Sequence, residues 1–175
     1  MISQEIRLVK ISLTDSEKLT KIGRQTFYDA FGPPANTEEN IQSYLNEKFT
    51  LEQITKELQH YNSFFYFAML DNIITGYIKL NMGDAQTEPM QGNPLEIERI
   101  YVLNRYQGRK IGQSLVNESI RIAKEKNADY VWLGVWDQNP GAIRFYQRNG
   151  FKTIDSHEFM LGTEIQTDII MKLEI

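Results

Sequence analysis

Two carboxylates and a short basic turn stand close together in this chain. Glu96 and Glu98 lie two residues apart in Leu95-Glu96-Ile97-Glu98-Arg99-Ile100-Tyr101-Val102, and Gln107-Gly108-Arg109-Lys110-Ile111-Gly112 follows. The first run alternates apolar and polar residues like a strand, which puts both carboxylates on one face, where either can take a proton from a bound amine. After the turn, Ile111, Leu115, Ser119, Ile122 and Ala123 recur at helical spacing to about Lys126. A strand, a glycine-containing turn and a helix in that order leave unpaired N–H groups at the helix start. With the helix dipole they form an anion site suited to a phosphate or pyrophosphate. Gly108 and Gly112 permit close backbone approach, and Arg109 and Lys110 add positive charge. The turn is neither G-x-x-x-x-G-K-S/T nor G-x-G-x-x-G.

A second constellation follows. Asp129 to Val135 reads as a buried strand, and Asn139-Pro140-Gly141-Ala142-Ile143-Arg144-Phe145-Tyr146-Gln147-Arg148-Asn149-Gly150-Phe151 as a punctuated helix. Asn139 is a good cap, Pro140 suits the first helical position and Gly150 suits the exit. Of the adjacent Phe145 and Tyr146, one must turn from the core. Tyr146 is assigned that position, since its phenol can donate a proton or a hydrogen bond.

Together these residues resemble the GCN5-related N-acetyltransferase (GNAT) superfamily, whose acetyl-CoA motif is Gln/Arg-x-x-Gly-x-Gly/Ala. The pattern falls on Gln107, Lys110 and Gly112, so Lys110 stands where the family usually has its first glycine. Ala142-x-x-Phe145-Tyr146-x-x-x-Gly150-Phe151 matches the family's second signature. Leu95 to Tyr101, Trp132 to Trp136 and Gln166 to Met171 further resemble PaiA-type spermidine/spermine N-acetyltransferases. The resemblance implies acetyl-CoA as cosubstrate, held by Gln107 to Gln113 (Gln107, Gly108, Arg109, Lys110, Ile111, Gly112 and Gln113). It also implies an oxyanion donor at the backbone of Tyr101 or Val102, with Val102 also bonding the pantetheine arm. Tyr146 falls where many members have a tyrosine general acid, and the base is expected from Glu98 or Glu96, Glu98 preferred. Asn139 is read as an arm-binding residue or simply a cap, and Arg148 as a phosphate contact or a solvated charge.

Composition narrows the partners. The chain has 175 residues, 41% hydrophobic and 24% charged, a net charge of −4 and no cysteine. That suits one domain over residues 1–175, disfavours a large nucleic-acid footprint, excludes disulfides and thiolate ligands, and fits a reducing cytoplasm. The two histidines, His60 and His157, are far apart, so no metal site is expected. The longest apolar run, Phe64 to Leu70, is too short for a bilayer, and no secretion signal is read at the N-terminus.

The remaining elements must position these groups. Glu5 to Ile11 reads as a strand. Thr14-x-x-Glu17 reads as a capping box for a helix presenting Leu19, Ile22, Phe27, Ala30 and Phe31. Thr37 and Thr50 cap two further helices, with Ile41, Tyr44 and Leu45 and then Leu51, Ile54 and Leu58 inward. Ser63 to Leu70 and Ile73 to Met82 form a hairpin, Gly83 to Pro94 a loop, and Phe151 to Met160 and Glu164 to Leu173 two closing strands. The expected fold is α/β, GNAT-like: a mixed, mostly antiparallel sheet of about seven strands with about four to five helices.

The reading is an acetyl-CoA-dependent N-acetyltransferase acting directly on a small amine, expected to be a polyamine. Glu88, Glu158, Glu164 and Asp168 are candidate anchors, and Trp136 a candidate pocket wall. A homodimer is left open; nucleic acid and membrane are not expected partners. The rival readings are acetylation of a protein N-terminus, a lysine or another amine, and a CoA-binding regulatory module without turnover.

Overall fold

The computed structural model describes residues 4–175. Seven strands form one sheet in the order β1-β2-β3-β4-β5-β7-β6. The strands are β1 (Ile6–Lys10), β2 (Ser63–Leu70), β3 (Ile73–Met82), β4 (Leu95–Val102), β5 (Tyr130–Trp136), β6 (Lys152–Leu161) and β7 (Glu164–Glu174). The helices are α1 (Ser16–Phe31), α2 (Glu38–Lys48), α3 (Leu51–Gln59), α4 (Ile111–Glu125) and α5 (Pro140–Arg148). All neighbouring strands are antiparallel except β4 and β5, which the α4 crossover makes parallel.

That parallel pair is short. β4 and β5 are in register at Leu95–Val131, Glu96–Trp132 and Ile97–Leu133, and there the pairing stops. β4 runs on to Val102 and β5 to Trp136 without meeting, so the sheet opens into a V at its centre.

Alternation builds a core on each face. On one side Ile78, Leu80, Leu95, Ile97, Val131 and Leu133 pack under Ile111, Leu115 and Ile122 of α4. On the other Phe65, Phe67 and Tyr77 pack under Leu19, Ile22 and Phe27 of α1, with Ile41, Leu45 and Ile54 from α2 and α3. The caps at Thr37 and Thr50 form as expected, accepting from the N–H groups of Asn40 at 3.2 Å and Gln53 at 3.1 Å.

Several local expectations are corrected. The capping box is formed by Ser12 and Asp15 rather than Thr14 and Glu17, because a one-turn 3-10 helix at Leu13–Asp15 precedes α1. Ala30 and Leu51 are exposed, while Gly23 and Thr26 are buried in their place. Gly23 is small because a Cβ there would press against the Phe49 ring at 2.9 Å, and the Thr26 hydroxyl is satisfied by the Ile22 carbonyl at 2.8 Å.

Candidate active site

The turn before α4 gathers a run of backbone N–H groups without backbone acceptors. The first helical bond runs from the Ser114 N–H to the Lys110 carbonyl at 3.1 Å. Among the described residues, no backbone acceptor is found for the N–H groups from Gly108 to Gln113. Gly108 (φ 78°) and Lys110 (φ 64°) are both left-handed, which curls these donors inward, and nothing lies within 4 Å of the position a Gly108 Cβ would take. Lys110 thus adopts the conformation that a glycine reaches without a Cβ penalty. Ile111 is buried and anchors the start of the helix. Gln113 ties α4 to the end of α5 through Asn149 Oδ1 at 2.6 Å. Arg109, Lys110 and Arg148 are exposed, with Arg109 over the Tyr106 ring at 5.4 Å.

The V supplies a slot leading from this turn. The Leu103 N–H donates to the Thr75 carbonyl at 2.8 Å. Ladder alternation therefore gives Tyr101's N–H to β3 and turns Val102's N–H toward β5, where no strand meets it. Of the two expected oxyanion donors, Val102 has the free direction. Gln107 Nε2 donates to the Val102 carbonyl at 3.3 Å and to Asn104 Oδ1 at 3.1 Å, fixing the turn to the strand end. Gly76 is required opposite this point, since a Cβ there would lie 2.5 Å from the Tyr101 carbonyl oxygen.

Tyr146 comes from α5 and is 8% exposed, with its ring edge-on to Phe145 and Phe151. Burial raises its pKa above the ordinary tyrosine value. Phe145 is the more exposed of the two, its ring 3.8 Å from where a Gly112 Cβ would be. Tyr146 therefore packs inward. Tyr146 belongs to the core on one face of the sheet and Tyr101 packs against the core on the other. Asn139 acts as a cap, accepting from the Ala142 N–H at 3.1 Å.

The two β4 carboxylates share a face, and both have protein partners. Glu96 is 3% exposed and accepts from Asn81 Nδ2 at 3.0 Å, the Thr87 N–H at 2.9 Å and the Thr87 hydroxyl. Burial raises its pKa, against the pull of those bonds. Glu98 pairs with Lys79, whose Nζ also lies 3.3 Å from Glu57 Oε2. Arg99 grips Glu57 with both arms, at 2.8 and 3.1 Å, and stacks over Phe49 at 4.6 Å.

Beyond the V, the same face of the sheet is lined by Gly134, Trp136, Asp168 and His157. Phe31 of α1 packs its ring 5.3 Å from that of Trp136 and walls one side. Glu88, from the loop before β4, reaches the His157 Nδ1 side, and Asp168 Oδ2 lies 3.7 Å from His157 Nε2. Of the four candidate anchors, Glu88 and Asp168 thus converge, while Glu158 and Glu164 are exposed on the closing hairpin. Glu57, Asn81, Thr87 and Gly134 were not among the site residues expected from the sequence. Only Gly134 carried a signal, as a glycine inside an apolar strand between two tryptophans.

Comparison with known proteins follows the same outline. The sequence model of the acetyltransferase (GNAT) family matches residues 24–151. An uncharacterised N-acetyltransferase from the pepI 3′ region of Lactobacillus delbrueckii subsp. lactis is 35% identical over 167 residues, covering 95% of this chain and 96% of the relative. Spermidine N(1)-acetyltransferase of Thermoplasma acidophilum is 31% identical over 155 residues, covering 86% of this chain and 91% of its own. Among solved structures, PaiA N-acetyltransferase from Thermoplasma acidophilum in complex with coenzyme A superposes with a TM-score of 0.78 at 27% identity. It covers 98% of this chain and 99% of its own. No helix of the described residues is long and apolar enough to cross a membrane.

Proposed function

The chain belongs to the acetyltransferase (GNAT) family and is an acetyl-CoA-dependent N-acetyltransferase; from that premise we propose that its acceptor is a small polyamine, acetylated by direct attack on the thioester. The observation that carries the acceptor class is the carboxylate pair Glu88 and Asp168 on the face beyond the V, opposite an open Gly134. An extended polycation needs several anionic contacts along one groove while one nitrogen reaches the thioester. The Thermoplasma relative named for spermidine supports the same class. Dependence on acetyl-CoA and a chain without cysteine support a cytoplasmic setting.

Each part of the site has a role in this reading. The amides of Gly108 to Gln113 receive the pyrophosphate of CoA, with Arg109 and Lys110 adding charge. Val102 offers its N–H to the charge that develops on the thioester oxygen. Tyr146 hands a proton to the departing sulfur. A tyrosine phenol is protonated at neutral pH, so it enters the reaction as a donor. Arg148 stays on the solvent side of α5 and Asn139 in its capping role.

The test is a panel of amines with acetyl-CoA, following CoA release across polyamines, amino acids and peptides. Spermidine and spermine are expected to lead, with an acceptor KM that rises with salt at saturating acetyl-CoA, since exposed ion pairs are screened over about 10 Å at 0.1 M. A panel in which only neutral or singly charged amines react would refute the polyamine assignment.

A further inference from the structure

We propose that Asp168 is the group that takes the proton from the acceptor ammonium, with His157 and Glu88 as its positioning residues; this rests on the acetyl-transfer reading above.

The β4 carboxylates leave the role open. Glu96 is closed off by Asn81 and Thr87, and Glu98 is neutralised by Lys79. Asp168 differs in where it points. Its Oδ2 lies 3.1 Å from where a Gly134 Cβ would be, so the carboxylate leans over the backbone of β5. Gly134 is the first β5 residue past Leu133, the last one paired to β4. The carboxylate therefore overlooks the mouth of the V from the face that carries Trp136, its register partner on β5. Any side chain at 134 would fill this approach. Gly134 is instead exposed in a strand whose neighbours Leu133 and Val135 are buried.

The surroundings suit a proton acceptor. His157 faces it from β6, Glu88 from the loop before β4, Asp137 from the end of β5, and the Tyr44 phenol of α2 senses its charge. Burial pushes the Asp168 carboxyl up to about 6; His157 pulls it down, and Asp137 and Glu88 push it up. A carboxylate in that range is still ionised at neutral pH but is a stronger base than an ordinary one. The side chains of Glu88, His157 and Asp168 are between 22% and 32% exposed, so the group is reachable from solution. Glu88 and Asp168 meet opposite nitrogens of one imidazole, so the three do not converge on a point as metal ligands would.

The step balances as follows. An N–H bond of the substrate ammonium breaks and an O–H bond forms on Asp168. The freed nitrogen lone pair forms the C–N bond at the thioester carbonyl, and the C–S bond breaks as the tetrahedral adduct collapses. As the amide forms, Tyr146 gives its proton to the departing sulfur and takes the second nitrogen proton in exchange, and the Asp168 proton passes to solvent, so one proton is released per acetyl transferred.

The experiment is the pH dependence of kcat/KM at saturating acetyl-CoA, with spermidine as probe and n-propylamine as a second. Wild-type rates should rise about tenfold per pH unit below about pH 6 and level off above it. Asp168→Asn should lose about 10²-fold or more at pH 7 and go on rising with pH as the free amine accumulates, with CoA affinity unchanged. His157→Asn removes the imidazole that holds the carboxyl down, so the acid limb should move to higher pH, a shift that a packing role would not produce. An Asp168→Asn enzyme with the wild-type limb and kcat and only a raised acceptor KM overturns the proposal, as does an unmoved limb in His157→Asn. The histidine variant alone decides if Asp168→Asn does not fold. Wild-type enzyme whose CoA release rises with n-propylamine but not with spermidine overturns the polyamine reading while leaving the Asp168 test standing, and is recognised before any variant is compared.

Discussion

Lys79 stands opposite Arg99 in the β3–β4 register, yet its ammonium meets Glu98, a residue with no partner on β3. Leu80 is opposite Ile97, so Glu98 is the extra residue of a bulge, and the bulge brings Glu98 and Arg99 to the same face of the sheet. Two cations and two carboxylates, Lys79 and Arg99 with Glu57 and Glu98, then interlock beneath α3. The bulge lies one residue past the last β4–β5 pair, so the same irregularity that clusters these charges sits where the sheet opens.

Glu57 is the common partner of Lys79 and Arg99, and Glu57→Gln should destabilise the fold by about 3 kcal/mol, because it leaves a buried guanidinium without its carboxylate. Burial opposes ionisation of Glu57, but Arg99 and Lys79 overcome it and hold its pKa below the ordinary value. A depressed acid contributes stability above its unfolded pKa and loses it as pH falls through the folded one. Urea unfolding of both proteins should therefore differ most at neutral pH and converge in acid.

The turn before α4 predicts two opposite glycine effects. Lys110→Gly should raise stability by up to about 1 kcal/mol by removing a left-handed Cβ clash, offset in part by glycine's chain entropy. CoA affinity should fall only slightly, since the amides remain. Gly112→Asp, in contrast, places a carboxylate among those amides and should weaken CoA binding at least about tenfold, or 1.4 kcal/mol. Thermal unfolding and calorimetric titration read both.

Tyr146→Phe keeps the ring contacts with Phe145 and Phe151 and deletes only the hydroxyl, so the melting temperature should hold or rise. Turnover should fall about 10²-fold if that hydroxyl supplies the leaving-group proton. Equal turnover would return the residue to packing alone.

Asp168→Asn should stabilise the protein at neutral pH. The folded carboxyl titrates near 6, above its unfolded value of about 3.9. A raised acid contributes stability while protonated, below the unfolded pKa, and loses it as pH rises through the folded one. The stability gap between variant and wild type should open between about pH 4 and pH 6 and stay open above, as chemical denaturation across pH would show. A gain in stability together with a loss of turnover is the pattern expected of a strained catalytic group.

Much of this protein is local in origin and therefore legible in its residues. The β4–turn–α4 unit, the capped α5 and the β2–β3 hairpin follow from alternation, helical spacing and capping residues, each settled within a few positions of chain. The run of unpaired amides before α4 was legible for the same reason: they are consecutive backbone groups at one helix start.

What strict alternation could not give is what depends on how strands meet. A pairing of one β4 carboxylate with Lys79 or Arg99 can be read from the sequence, and Glu98 does meet Lys79, but a two-residue period has no means of announcing that Glu98 is an extra residue or that Glu57 is the partner of Arg99. Likewise, the amide of Val102 differs from that of Tyr101 only through the register with β3 and the early end of pairing with β5. The elements, the unpaired amides before α4 and the family outline could be read from the residues, because those rest on short-range propensity and backbone geometry. Tertiary structure alone decided which carboxylates are spent on Lys79, Arg99 and Thr87, and which one overlooks the V. Ion pairing and desolvation act between residues far apart in the chain: Glu57 with Arg99, and Glu88 with His157 and Asp168.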